Sequence, residues 1–128
     1  MESDLVFIGL VAMIDPPRLE VRDSIATCKG SGIKTIMITG DHQKTALAIA
    51  KELGIASSPE ETISGVELDD YSDEELIEVV KTRRVFARVS SEHKVRIVKA
   101  FKGGGNIVSM TGDGVNDAPS LKAAEIGV

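Results

Sequence analysis

A single cysteine, Cys28, stands among the 128 residues. It excludes an internal disulfide, and a reducing cytosol is the compartment it fits. Cys28 lies in an apolar helical repeat, so it reads as a buried structural thiol rather than a reactive one. Long hydrophobic runs are missing too. Nothing approaches the roughly 20 apolar residues of a membrane span. The longest run, Leu5 to Ile14, contains Gly9 and is about the length of a strand. No basic segment precedes it, so it does not read as a signal peptide, and the chain is expected to be soluble as it stands.

Basic residues are also scarce. The 15 Lys and Arg face 20 Asp and Glu, for a net charge of -5. That balance argues against a nucleic-acid partner, which needs a basic face, and against docking on anionic lipid. It does not exclude a phosphate ligand, because a site can be locally positive inside an acidic protein. The lack of tryptophan and the single tyrosine exclude nothing by themselves.

What is present suits one globular domain. Hydrophobic residues make up 42% and charged residues 27% of the chain, ordinary values for a packed fold. Leu5 to Ile14 is continuously apolar and reads as a strand buried on both faces. Asp15-Pro16-Pro17 stops it, and Pro17 suits a helix start. Val21, Ile25 and Cys28 recur at helical spacing, which predicts a helix over residues 18–29 that Gly30-Ser31-Gly32 ends. Ile33 to Ile38 reads as a second buried strand. Asp41 can cap a helix carrying Ala46, Ile49, Ala50 and Leu53, closed by Gly54.

Ile63-Ser64-Gly65 suits a short edge strand. Ser72 with Glu75 forms a capping box before a helix bearing Leu76, Val79 and Val80. Val85 to Val89 is a further strand, and Ser91 can cap a helix with Val95, Val98 and Phe101. Gly103 to Gly105 is a turn and lacks the context of a dinucleotide fingerprint. Ile107 to Met110 is the last strand before the loop Thr111 to Asn116 and a short helix to Ala124. This alternation predicts an open α/β fold, a mainly parallel Rossmann-like sheet with helices on both faces.

Ligands of such sheets bind beyond the carboxyl ends of the strands. Three of those ends carry polar clusters: Thr39-Gly40-Asp41, Arg88 through Lys94, and Thr111 through Asp117. One shared site is the economical explanation. A phosphoryl group fits it. Thr39 offers a hydroxyl, and Gly40 lets a backbone N–H approach an anion. Lys94, in the first turn of its helix, works against the helix dipole there, which suggests that it serves a ligand. Asp113 and Asp117, four apart in a Gly-rich loop, suit a hard cation such as Mg²⁺. Taken singly, Thr39 and Asp41 suit a helix cap, Lys94 a solvated charge, and the two aspartates turn chemistry. Their convergence favours the site. His42 and His93 lack metal-ligand spacing and read as surface residues.

The strings Asp15-Pro16-Pro17-Arg18, Met37-Ile38-Thr39-Gly40-Asp41, Phe86-Ala87-Arg88-Val89 and Met110-Thr111-Gly112-Asp113-Gly114-Val115-Asn116-Asp117-Ala118-Pro119 resemble signatures of P-type cation-transporting ATPases. These pumps, of the type II group by the first two strings, belong to the haloacid dehalogenase-like superfamily. The resemblance covers nearly the whole chain. It implies that Thr39 and Gly40 hold oxygens of the transferred phosphoryl and that Lys94 neutralises charge developing there. It implies Asp113 as a Mg²⁺ ligand, and Asp117 as a support for both the metal and Lys94. Asn116 would contact the phosphoryl. Arg18, Asp41 and Arg88 would approach the nucleotide or the hinge.

Residues 1–17 would then be the last strand of a nucleotide-binding domain and its hinge, and residues 18–128 part of the phosphorylation domain. Two features depart from the pattern. Serine, Ser91, stands where the family has proline three residues before the lysine. The family's phosphorylated Asp-Lys-Thr-Gly-Thr string is absent, so the chain alone is expected to be inactive. The central strand of its sheet would be missing, to be filled by Leu5 to Ile14 or to drive association of two copies through unpaired edges. The rest of the pump, with actuator, nucleotide-binding and transmembrane parts, would supply the partners, and this domain would sit on the cytoplasmic side. ATP or phosphate would be the ligand. Two other functions compete: a small phosphatase with Asp15 as nucleophile, disfavoured because Pro16-Pro17 removes backbone donors, and a receiver-like domain, which lacks a suitably placed acceptor.

Overall fold

The computed structural model describes residues 3–13 and 16–128. Ile14 and Asp15 lie outside the described residues, and with them the phosphatase reading of Asp15. Among the described residues six α-helices and five short strands follow one another. They are α1 (Leu19–Gly30), β1 (Met37–Ile38), α2 (Gln43–Leu53), β2 (Thr62–Ser64), α3 (Gly65–Asp69), α4 (Asp73–Thr82), β3 (Val85–Ala87), α5 (Ser91–Gly103), β4 (Ser109–Met110), α6 (Ala118–Ala123) and β5 (Ile126–Gly127). β3 runs between β1 and β2, all parallel, and β4 pairs in parallel with β5. This is the expected α/β architecture in an incomplete form, because no ladder joins the two sheets among the described residues.

Alternation along β3 explains the layers. Side chains of successive strand residues point to opposite faces. Phe86 enters a core with Ile63, Leu68, Leu76, Val80, Ile97 and Phe101, under α4 and α5. Val85 and Ala87 enter a second core with Ala46, Ala50 and Ala56, under α2. β1 follows the same rule: Ile36 and Ile38 pack on the first core and Met37 on the second. Val108, leading into β4, packs on the first core as well. Through Val108 the approach to β4 therefore shares this hydrophobic layer, although among the described residues no backbone ladder bridges the two sheets.

The largest correction concerns the N-terminal run. Residues 5–13 form no strand and fill no slot in the sheet, and the large apolar side chains from Leu5 to Met13 are between 76% and 97% exposed. A strand needs neighbours to take its N–H and C=O groups, and none of the described strands lies alongside it. Smaller corrections are local. Of the expected α1 stripe only Ile25 is buried; Val21 is exposed and Cys28 half-buried. Strand pairing begins at Met37 rather than Ile33, which is 58% exposed.

His42, not Asp41, caps α2, its Nδ1 accepting the Lys44 N–H at 3.2 Å. Ser90, not Ser91, caps α5. Gly54 closes α2 with φ +76°, as expected of a left-handed C-cap. β2 is an edge strand.

Capping boxes organise the irregular middle of the chain. Ser58 with Glu61, Ser64 with Glu67, and Ser72 with Glu75 each close reciprocally. A fourth box pairs Ser90 with His93. His93 is thus no plain surface residue. Its Nδ1 accepts the Ser90 N–H at 3.0 Å, and its Nε2 lies 2.9 Å from an Asp69 oxygen. The first bond leaves the ring proton on Nε2, which donates to Asp69.

Gly65 fits against this ring. A Cβ there would meet the Arg88 carbonyl oxygen and stand 2.9 Å from the His93 ring. Gly65→Ala is expected to cost about 1–3 kcal/mol by overpacking. Urea unfolding followed by circular dichroism checks this, and an unchanged midpoint would show that the 65–93 contact can relax.

Candidate phosphoryl site

β1 and β4 end at Ile38 and Met110, as the sequence placed them, whereas β3 ends at Ala87, two residues short of the expected Val89, because Arg88 turns out of the extended conformation. Thr39 and Gly40 follow β1, Arg88 follows β3, and Thr111 to Asp117 follow β4. Backbone bonds lace the first two ends together. The Thr39 N–H donates to the Phe86 carbonyl at 2.9 Å, and the Arg88 N–H donates to the Asp41 carbonyl at 3.1 Å. The Thr39 hydroxyl oxygen accepts the Asp41 N–H at 3.1 Å, which folds the loop back on itself. Gly40 and Asp41 are exposed, and Thr39 is half-buried.

Arg88 has φ +51°, a left-handed conformation rare for a residue with a Cβ. Such strain, typically about 1–3 kcal/mol, persists only where its surroundings impose it and concentrates at functional sites. Here the Asp41 carbonyl holds the Arg88 N–H, and the absence of a side chain at Gly65 leaves room for the Arg88 carbonyl.

Lys94 of the second cluster and Asp117 of the third pair with each other. The ammonium, from the first turn of α5, donates to Asp117 Oδ1 at 2.5 Å, and their side chains are only 22% and 12% exposed. The bond to Lys94 holds the Asp117 carboxyl below its ordinary range, against the opposing effect of desolvation. Gly112 is required beside it, since a Cβ there would lie 2.7 Å from Asp117 Oδ2. The Asp117 N–H donates to the Gly114 carbonyl at 3.0 Å. The Ser120 hydroxyl donates to the Asp117 carbonyl at 2.8 Å. The loop is therefore wound around one carboxylate.

The other expected residues are placed less tightly. Asp113 and Asn116 are exposed on the same loop, and Arg18 is exposed at the N-cap of α1. Among the described residues no group of three or more His, Cys, Asp or Glu side chains is gathered as a metal site. Asp113 has an open carboxylate, whereas Asp117 is committed to Lys94. The contribution of His93, one residue before Lys94, went unread in the sequence. The signal was there, because Ser90-x-x-His93 has capping-box spacing with a histidine in the usual Glu position.

Lowered carboxyls at Asp117, Glu61, Glu67 and Glu75 make a pH prediction. Asp117 is lowered chiefly by Lys94, Glu67 by the Ser64 hydroxyl, and Glu61 and Glu75 by backbone N–H groups of Ser57 and Ser72. Each binds its proton more weakly folded than unfolded, so the unfolded chain takes up more protons as pH falls. The stability they contribute is complete above the ordinary values of 3.8 for Asp and 4.5 for Glu and is lost as pH falls through the lower folded values. Urea midpoints are expected to be flat from about pH 8 to pH 6 and to drop steeply below about pH 4. A midpoint that rises on acidification would contradict these bonds.

Comparisons with known proteins place the chain in a family. The family profile described as haloacid dehalogenase-like hydrolase matches residues 3–125. The chain is 66% identical over 128 residues to calcium-transporting ATPase 1 of Bacillus cereus and 56% identical over 127 residues to the calcium-transporting ATPase of Bacillus subtilis. It is 48% identical over 126 residues to human calcium-transporting ATPase type 2C member 1. Nearly all of this chain is covered in each match, but it spans only 14% of the length of these relatives.

Among solved structures, the catalytic domain of the CPx-ATPase CopB-B, described in a study of conformational change upon nucleotide binding, superposes with a TM-score of 0.58 at 30% identity. That match covers 84% of this chain and 32% of the other. The likeness is to a segment of ion pumps, which favours the pump-fragment expectation over a stand-alone small phosphatase. By the family profile that spans residues 3–125, and in keeping with its parallel α/β layers, this chain belongs to the haloacid dehalogenase-like hydrolase family.

Proposed function

We propose that this chain is the part of a calcium-pump phosphorylation domain that binds and stabilises the transferred phosphoryl group. The single observation that carries the proposal is the half-buried Lys94–Asp117 pair, held in a glycine loop at a strand's carboxyl end. A lysine directed by a carboxylate presents a fixed positive charge, which suits charge developing on a phosphoryl oxygen. Thr39 and Gly40 would hold other oxygens through a hydroxyl and a backbone N–H. Asn116 would contact the same group. Asp41, Arg88 and Arg18 would face the nucleotide or the hinge.

Asp113, with its open carboxylate, would hold Mg²⁺, and Asp117 would support it while orienting Lys94. The ion would neutralise phosphoryl charge. Two carboxylates are too few for a complete shell, so other ligands must come from the phosphoryl group and from outside this chain. The Asp-Lys-Thr-Gly-Thr string is absent from the sequence. The accepting aspartate would therefore arrive on a strand from elsewhere in the pump, between the unjoined edges of β1 and β4. Association of two copies through those edges is the alternative use of them.

Residues 1–17 would be the final strand of the nucleotide-binding domain with its hinge, which accounts for an exposed apolar run lacking its own sheet. No helix of the described residues is long and apolar enough to cross a membrane. The transmembrane and actuator parts would belong to the remainder, with this domain on the cytoplasmic side.

Radiolabelling from ATP tests the proposal. The full-length protein containing this chain is expected to take up phosphate in a Mg²⁺-dependent, hydroxylamine-labile acyl bond, while the 128-residue chain takes up none. Label on the isolated chain that Asp15→Asn removes would favour the phosphatase instead.

A further inference from the structure

The three strands of the main sheet run parallel, so the proposed phosphoryl site occupies one end of them. A recess of about 710 Å³ lies at the opposite, amino end. The last turns of α1 and α2 and the residues entering β1, β2 and β3 form its walls. Lys29, Lys34, Lys51 and Arg84 line it, against one carboxylate, Glu61. Among the described residues none of these four cations has a carboxylate within ion-pairing distance. In a chain of net charge -5 this is a local reversal of sign.

Two of the cations have an ordinary explanation. Lys29 and Lys51 stand in the last turns of their helices, where a positive charge complements the helix dipole. Lys34 and Arg84 lie outside those two helices. Both stand on strand entries, and the Arg84 charge adds to burial in lowering the Lys34 ammonium. The Lys34 ammonium donates to the Lys81 carbonyl in the last turn of α4 at 3.5 Å, and the Arg84 guanidinium donates to the same carbonyl at 3.4 Å and to the Arg83 carbonyl at 3.2 Å, so neutral acceptors rather than carboxylates hold both charges. Glu61 offsets one of the four charges. Its carboxyl is lowered chiefly by the Ser57 N–H, with attraction to Arg84 helping, while its Oε1 is held away from ion pairing by the Ser57 N–H at 2.9 Å, the Ser57 hydroxyl at 2.8 Å and the Ser58 N–H at 3.1 Å. Thr35 adds a hydroxyl to the wall.

We propose that this recess binds a phosphate-type polyanion, with Lys34 and Arg84 as its principal cationic partners and Lys29 and Lys51 as flanking charges. Its volume falls in the range of small-molecule sites, about 300–1,000 Å³. Charge-assisted hydrogen bonds from an ammonium and a planar guanidinium suit phosphate oxygens. The site is separate from the strand ends that carry Thr39, Arg88 and Asp113, and it does not depend on the function proposed for them. A soluble phosphate ester and a lipid headgroup share the chemistry; the negative net charge of the chain favours the soluble source.

Titration of the isotope-labelled chain with sodium pyrophosphate at low salt tests the recess. Saturable amide shifts are expected at Gly32, Thr35, Gly54 and Ser57. Lys34→Glu is expected to weaken that binding by on the order of tenfold or more, while Lys34→Arg retains it. Absence of saturable shifts at those amides, or equal affinity in Lys34→Glu, would overturn the proposal. Shifts confined to Gly40 and the 112–117 loop would likewise overturn it while supporting the phosphoryl site. Cosedimentation with phosphatidylglycerol vesicles that Lys34→Glu abolishes would assign the phosphate to a lipid; pyrophosphate binding without cosedimentation would assign it to a soluble ester.

Discussion

Phe86→Ala is expected to remove about 3–5 kcal/mol of stability. Phe86 is wholly buried in the middle of β3, the only strand of the main sheet with a neighbour on each side among the described residues. Its ring meets Phe101 edge-on, with centroids 6.3 Å apart and planes at 78°. It joins β3 to α4 and α5 in one core. Domains of this size are stable by only about 5–15 kcal/mol in total, and this one has a sheet with unpaired internal edges. Loss of the ring is therefore expected to leave the chain largely unfolded at moderate urea, with collapse of amide dispersion. Phe86→Leu is expected to retain the fold with a smaller loss. An Ala variant with the parental midpoint would mean that the core is not where the packing places it.

Lys94→Ala, made in the full-length protein, is expected to slow phosphoenzyme formation by about 10²–10³-fold. The ammonium is fixed by Asp117 at 2.5 Å in a largely buried setting, so no mobile surface lysine can replace it. Nucleotide affinity is expected to change little, because Lys94 would act on charge that develops during transfer. Lys94→Arg keeps the charge but not a compact ammonium at the same point, and it is expected to recover only part of the rate. A variant with ordinary phosphoenzyme kinetics would leave Lys94 a structural partner of Asp117. Loss of nucleotide binding with an unchanged rate constant would move its role to the ground state.

The parts of the fold that were legible in the sequence were those written in local patterns. The apolar face of α2 with Gly54, the Ser72–Glu75 box, and the strand at Val85 all stand where periodicity and turn chemistry put them. The strand ends bearing Thr39, Arg88 and Thr111 were found for the same reason, since an apolar run followed at once by a polar cluster marks both an element's end and its ligand side.

What failed depended on neighbours that the sequence of this chain does not supply. Leu5 to Met13 has strand composition, but composition cannot provide a ladder, and the run lies exposed. Strands at Ile33 and Ile107 were read too long because only residues opposite a partner pair. Caps slipped by one residue at His42 and Ser90, where adjacent polar residues compete for the same N–H. The Lys94–Asp117 pair was named through resemblance, whereas its burial and the packing of Gly112 upon it became visible only in three dimensions. The Gly65–His93 contact, spanning 28 residues of separation, had no local signal at all.

A nuclear magnetic resonance titration of the isotope-labelled chain with Mg²⁺, then with phosphate, addresses the phosphoryl-binding claim most directly. The account predicts Mg²⁺-induced shifts concentrated from Gly112 to Asp117, joined on addition of phosphate by shifts at Thr39, Gly40 and the Lys94 side chain. Mg²⁺ shifts scattered over the acidic first turn of α4, with the 112–117 loop and Thr39 unmoved by either ligand, would contradict it.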